Sequence, residues 1–270
     1  MVSIMIDFLG YGFMQKALLG GIVIALCCGL IGPFLVLRRL SLLGDGLAHL
    51  AFGGIAIGLL IGIEPIIAAL ITAVLGSFFV RSLIKNNVYG ESAIALILSV
   101  GVGIGIVVIG IVRGFNINLY SYLIGSVLAL STIDILLAIL FLVATITFLI
   151  FFYKDMLITI FNDELARLSR KRSGLANFFF TLLTAMAVVI SIRAVGILLV
   201  SALLVLPALI ALNLSKSFRQ TVIISSLSAS IIVALGIIIS FPLDIPPSGS
   251  IVLLLLGCFL ATQFYRKANV

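Results

Sequence analysis

The chain has 270 residues, of which 63% are hydrophobic and 9% are charged, and its formal net charge is +7. Soluble domains carry far more charge than this, so the composition predicts an integral membrane protein and excludes a soluble enzyme. The apolar runs are long and do not alternate with polar residues, which favours an all-α, polytopic helical bundle over a β-barrel. The basic residues are dispersed through loops, so the positive charge does not indicate nucleic acid as a partner. We interpret residues 1–270 as one transmembrane domain.

Nine apolar segments lie between polar breaks, and each is about long enough to cross a membrane. The chain therefore has nine predicted crossings, or eight if one segment is re-entrant. In chain order the segments are Ala17–Leu37, Gly44–Ile61, Pro65–Ile84, Ser92–Val112, Thr132–Tyr153, Leu175–Ile192, Val195–Leu214, Val222–Phe241 and Ile251–Tyr265, with a shorter apolar piece at Leu119–Leu130. Met1–Gln15 contains Asp7 and no basic region, so we do not interpret it as a removable signal peptide.

The basic residues predict the orientation in the membrane. When the sides alternate along the nine segments, every Lys and Arg except Lys16, Arg113 and Arg193 falls on one side. The positive-inside rule assigns that side to the cytoplasm. We therefore expect a multi-pass protein of the cell membrane with its N-terminus outside and its C-terminus in the cytoplasm. For Arg193 we expect a side chain that reaches the external headgroups.

Asp45 and His49 are the first candidate for chemistry. His49 is the only histidine of the chain, and it follows Asp45 by four residues at the head of an apolar segment. On a helix these two side chains share one face, and their oxygen and nitrogen donors suit a divalent metal ion. Two donors are fewer than a metal site needs, so we expect a second copy of the chain to supply the rest across a twofold axis. The alternative is a proton-bridged pair that only helps helices to pack.

Small residues at four-residue spacing occur in the same region, at Gly54, Gly58 and Gly62 and again at Gly101 and Gly105. Such spacing predicts close packing of helix backbones. Cys27, Cys28 and Cys258 lie in apolar runs with no metal-site spacing, so we interpret them as small buried residues.

The longest polar insertion, at about residues 154–174, predicts a short cytoplasmic helix that docks a partner. Asn162 can cap this helix, Asp163 and Glu164 fall in its first turn, and Gly174 follows its basic end. The alternative is that the basic end only faces anionic lipid headgroups. The chain has no Gly-Lys followed by Ser or Thr, so ATP, if it is used, binds to another subunit.

Gly196 and Pro207 are candidates for a helix break beside a transport pathway. Arg193–Gly196 turns the chain between two apolar segments, and Pro207 interrupts the second of them. Broken helices at membrane depth are typical of transport pathways, although a plain proline kink fits Pro207 equally well.

Enzyme functions are poorly supported. Leu43-Gly44-Asp45 is similar to a motif of intramembrane aspartyl proteases, which need two aspartates. The other membrane-proximal candidates, Asp134 and Asp155, have no matching motif. A serine protease is not indicated either, because no Gly-x-Ser-x-Gly is present.

Three blocks of sequence, Gly32–His49, Leu123–Ala129 and Arg193–Ala208, follow one another along most of the chain. Together they resemble the membrane permeases of ATP-binding-cassette importers for zinc, manganese or iron. The resemblance implies that Asp45 and His49 belong to the metal pathway and that the segment from Asn162 to Ser173 contacts the ATPase. Within that segment the coupling candidates are Asn162, Asp163, Glu164, Ala166 and Arg167.

The resemblance also implies the partners and the cargo. The partners are a second permease copy, two ATP-binding subunits and an extracellular metal-binding protein. We expect no permanently bound cofactor and a transported divalent ion, zinc first and manganese or iron next, carried by alternating access. The alternative is a gradient-driven carrier that works without an ATPase.

Overall fold

The computed structural model describes residues 11–111, 122–125, 127, 130–161 and 170–268. This part of the chain is helical and contains no strand, which confirms the predicted all-α fold. The helices are α1 Gly12–Leu37, α2 Leu43–Ile61, α3 Pro65–Lys85, α4 Gly90–Ile111, α5 Thr132–Phe161, α6 Arg170–Val195, α7 Val200–Leu214, α8 Phe218–Leu243 and α9 Pro247–Ala268. All of them except α7 are long and apolar enough to cross a membrane, which gives eight candidate spans in the described residues.

The seventh predicted span, Val195–Leu214, divides into a break, a short 3-10 turn and α7. Gly196 adopts a positive φ of 86°, and the 3-10 turn Ile197–Leu199 follows it. The 15 residues of α7 extend about 22 Å, less than the roughly 30 Å of a bilayer core. The structure therefore agrees with eight long spans and one shorter apolar helix.

The chain divides into two compact units, and α1, α5 and α6 each contribute to both of them. The first unit comprises Met1–Pro33, Ser121–Leu142 and Ile190–Val270, and it contains α7, α8 and α9. The second unit comprises Phe34–Tyr120 and Val143–Val189, and it contains α2, α3 and α4.

Small residues allow the helices of the second unit to approach closely. A Cβ atom on Gly54 would overlap Thr72 and Ala68 of α3, and one on Gly105 would overlap the Phe52 ring. This confirms the predicted role of these glycines in helix packing. Gly62 has a different role, because it ends α2 with a φ of 75° in the left-handed region that glycine favours.

A tight turn after α1 determines where α2 begins. Arg39 adopts a φ of 58°, and the Leu40 amide donates to the Leu35 carbonyl at 3.0 Å, which is the pattern of a Schellman motif. Nearby, the Arg38 guanidinium donates to Asn177 Oδ1 at 2.7 Å and lies 4.9 Å from the centre of the Phe180 ring. These contacts fix the end of α1 against α6, and α2 starts at Leu43.

The polar insertion is shorter than the sequence predicts, because both flanking helices extend into it. α5 continues to Phe161, two turns past the predicted end at Tyr153, and Met156 within that extension is fully buried. α6 already begins at Arg170, so Gly174 lies inside this helix and does not terminate a separate one. Packing of Met156 against Arg38, with the sulfur 3.4 Å from Nη2, stabilises the added turns of α5.

Candidate metal transit site

Asp45 and His49 lie on one face of α2, in the second unit. Asp45 Oδ1 is 3.9 Å from His49 Nε2, and the two side chains are 30% and 20% exposed. Two metal–ligand bonds of about 2.1 Å can span up to about 4.2 Å, so one divalent ion fits between these atoms. The partial exposure leaves both donors accessible to an ion and to further ligands.

The pair lies close to the N-terminal end of α2. Asp45 is the third residue of the helix, where the positive end of the helix dipole stabilises an anion. His49 is one turn further along, about 9 Å from the start of the helix. The site therefore lies near one end of α2, within its first two turns.

The backbone of α2 at His49 is held by α4. A Cβ atom on Gly101 would overlap the His49 carbonyl and the Leu50 backbone, so only glycine permits this approach. One turn further along, a Cβ on Gly53 would lie 2.8 Å from the Gly101 carbonyl oxygen. The crossing of α2 and α4 thus sets the position of the imidazole.

A single chain supplies two metal donors at this site. Within the described residues, no group of three or more His, Cys, Asp or Glu side chains could hold a metal ion. Two donors bind a divalent cation weakly, since zinc sites use about four ligands and sites for harder ions about six. This arrangement suits an ion that passes through better than one that stays.

The other predicted site residues lie elsewhere. Gly196 and Pro207 belong to the first unit; the helix break occurs at Gly196, whereas α7 continues through the buried Pro207. Gly196 packs close to a second glycine with positive φ, Gly125: a Cβ on Gly125 would overlap the Gly196 backbone, and a Cβ on Gly196 would overlap the backbone of Ile124. The coupling candidates Asn162, Asp163, Glu164, Ala166 and Arg167 lie outside the described residues.

An ion pair in the first unit was not predicted from the sequence. Arg193 contacts Asp134 through Nη1 and Oδ1. The sequence predicts only that the Arg193 side chain reaches the external headgroups, so the ion pair is an additional role. Asp134 Oδ2 also accepts hydrogen bonds from the Ser131 amide at 2.9 Å and the Ser131 hydroxyl at 2.7 Å. The Ser131-x-x-Asp134 spacing is that of a capping box and could have indicated this arrangement. The pair ties the residue three positions before the Gly196 break to the start of α5.

Loss of this ion pair is expected to destabilise the protein by about 1–2 kcal/mol, since Asp134 is largely buried while Arg193 is partly exposed. Asp134→Asn keeps an acceptor for Ser131 and removes the charge, whereas Asp134→Ala removes the cap as well and should cost about 1 kcal/mol more. Thermal unfolding in detergent measures both variants. Asp244→Asn, at an exposed helix end, is the control and should leave the melting temperature unchanged. Equal stability of all three variants would contradict a structural role for the pair.

Comparison with known proteins gives the family. The model of the ABC 3 transport family matches residues 10–266. The chain belongs to this family. It is 30% identical over 264 residues to the manganese transport system membrane protein MntC of Listeria innocua, covering 96% of this chain and 93% of that protein. It is 28% identical over 255 residues to the manganese import system permease protein ScaB of Streptococcus gordonii, covering 94% and 91%.

A solved structure agrees with the family in its fold. The structure of PsaBC from Streptococcus pneumoniae in complex with Fab contains a chain that superposes on this one with a TM-score of 0.85. The two are 27% identical, and the match covers 97% of this chain and 95% of that one. The chain is therefore a multi-pass membrane protein of the ABC 3 transport family, with eight candidate spans in the described residues.

Proposed function

We propose that the chain is the permease through which a divalent metal ion, manganese in the first place, enters the cell. The observation that carries this proposal is the pairing of Asp45 Oδ1 and His49 Nε2 at 3.9 Å on a partly exposed face of α2. From the sequence alone zinc is the first choice, but the names of two relatives refer to manganese. The donor set of nitrogen and oxygen is compatible with either ion.

Two copies of the chain would complete the site. A twofold axis beside α2 would bring together two carboxylates and two imidazoles, and waters could supply the remaining ligands of a six-coordinate manganese ion. Leu42 precedes Asp45 on the same face and is 56% exposed, so this end of α2 offers an uncovered surface to a second copy. In this arrangement each copy of the chain would contribute half of the metal ligands that come from the protein.

Transport would proceed by alternating access. An external binding protein delivers the ion, Asp45 and His49 hold it weakly, and movements driven by ATP-binding subunits release it inward. The segment containing Asn162, Asp163, Glu164, Ala166 and Arg167 remains the predicted contact with those subunits, and the break at Gly196 remains a candidate beside the pathway.

Reconstitution tests the function and the cargo together. Liposomes containing the permease with its ATP-binding subunits, supplied with the metal-binding protein, should accumulate manganese only when ATP is present, and a tenfold excess of zinc should compete if both ions use the site. The mass of the purified complex should correspond to two copies of this chain. Uptake without ATP would favour the gradient-driven carrier, zinc uptake without manganese uptake would restore zinc as the cargo, and a single copy would contradict the shared site.

A further inference from the structure

A cavity of about 1010 Å³ with both polar and apolar lining lies in the second unit, and neither Asp45 nor His49 lines it. It is surrounded by the end of α1, the end of α3, the start of α4 and residues of α5 and α6. Three arginines, Arg38, Arg39 and Arg81, line it, together with one acidic residue, Glu91. The lining therefore has a net charge of +2, which favours an anionic ligand.

The arginines differ in how firmly they are held. Arg38 is fixed by Asn177, Met156 and the Phe180 ring, so it contributes a stationary charge to the wall. Arg81 donates to the Gly174 carbonyl at 3.3 Å, and Arg39 is exposed on the left-handed turn after α1. A guanidinium presents several N–H donors in a planar fork that matches the oxygens of a phosphate group.

The other residues that line the cavity favour a lipid over a soluble anion. Aliphatic side chains, among them Leu43, Val80 and Ile84, also line the cavity. Tyr89, at the rim, is 84% exposed, and tyrosine prefers the headgroup level of a membrane. The cavity also lies on the side that the positive-inside rule assigns to the cytoplasm, where anionic lipids are enriched.

We propose that this cavity binds the phosphate headgroup of an anionic membrane lipid, with Arg39 and Arg81 as its main donors. Basic pockets between transmembrane helices on the cytoplasmic side are suited to such headgroups. The bound lipid would link the ends of α1 and α3 to the start of α6, and the turn after α1 leads directly into the helix that carries Asp45. The proposal does not depend on which ion the permease transports.

Native mass spectrometry of the full-length permease with its partner subunits tests the proposal. The probes are phosphatidylglycerol, phosphatidylcholine with the same acyl chains, and inorganic phosphate as a competitor. Phosphatidylglycerol should bind in preference to phosphatidylcholine. Arg39→Gln and Arg81→Gln should each weaken its binding about fivefold, whereas Glu91→Gln should strengthen it by a similar factor, because these changes alter the cavity charge in opposite directions.

Lys85→Gln is the matched control, since Lys85 lies one turn after Arg81 on α3 but does not line the cavity. Its phosphatidylglycerol binding should equal that of the wild type. The proposal fails if both arginine variants bind like the wild type, if Arg81→Gln and Glu91→Gln change binding in the same direction, or if the two lipids bind equally. Displacement by an equal concentration of inorganic phosphate would assign the cavity to free phosphate. If an arginine variant lost the ATP-binding subunits but bound lipid like the wild type, the cavity would instead be a contact for those subunits.

Discussion

Asp45→Ala and His49→Ala are each expected to reduce metal uptake by about a hundredfold or more while the transporter complex still assembles. Mutation of a residue that only hydrogen-bonds to a metal ligand already reduces metal affinity or activity by about 10–100-fold. Asp45 and His49 are the proposed ligands themselves, so a larger effect is expected. Both are partly exposed, so their removal leaves no large cavity in the protein core. Uptake of radioactive manganese into liposomes measures the effect, and size-exclusion chromatography reports assembly.

The control for these variants is Leu60→Ala, an exposed residue near the other end of α2 that carries no metal donor. It should retain most of the uptake. Asp45→Asn keeps the shape of the side chain and removes its charge, so it should behave like Asp45→Ala if the carboxylate binds the ion. Failure of the complex to assemble in the Asp45 or His49 variants would instead favour the alternative in which the pair only helps helices to pack.

Gly101→Ala is expected to destabilise the permease by about 1–3 kcal/mol and to impair uptake, although it changes no ligand. The new methyl group would overlap the His49 carbonyl and the Leu50 backbone, so α2 and α4 must separate at the position that carries the imidazole. Backbone atoms cannot rotate away as a flexible side chain can, which is why a single methyl group has this effect. Thermal unfolding and the uptake assay on the same preparation measure both consequences.

Gly103→Ala provides the matched control on the same helix. A Cβ at Gly103 meets nothing within 4 Å, and this residue is exposed. Replacement of a helical glycine by alanine should stabilise α4 by up to about 1 kcal/mol, so this variant should unfold at the same or a higher temperature. If the two variants shift the melting temperature equally, the close crossing at His49 does not position the site.

The long helices were predictable from the sequence, because uninterrupted apolar runs leave no alternative to a membrane helix. The break at Gly196 was predictable as well, since it follows a charged residue between two apolar runs. The extension of α5 to Phe161 was not, because it depends on the burial of Met156 against Arg38, which is distant in the sequence. The polar residues within Lys154–Phe161 predict a loop, whereas the packing of Met156 against Arg38 stabilises this segment as a helix.

Only part of the candidate site could be predicted from the sequence. The four-residue spacing placed Asp45 and His49 on one face, and the structure has them 3.9 Å apart. The role of Gly101 in holding His49 was not visible, because a glycine motif indicates close packing without naming its partner. The pair of Arg193 and Asp134 was missed for a similar reason: the two residues are separated by 59 positions, and only their local patterns could be interpreted.

The elemental composition of whole cells tests most directly whether His49 belongs to a pathway for manganese. A strain lacking the permease would carry either the wild-type gene or His49→Ala, both produced at equal levels, and mass spectrometry would measure manganese, zinc and iron. We expect the wild type alone to restore the manganese content. Equal restoration of manganese by His49→Ala would contradict the assignment of His49 to the transport pathway.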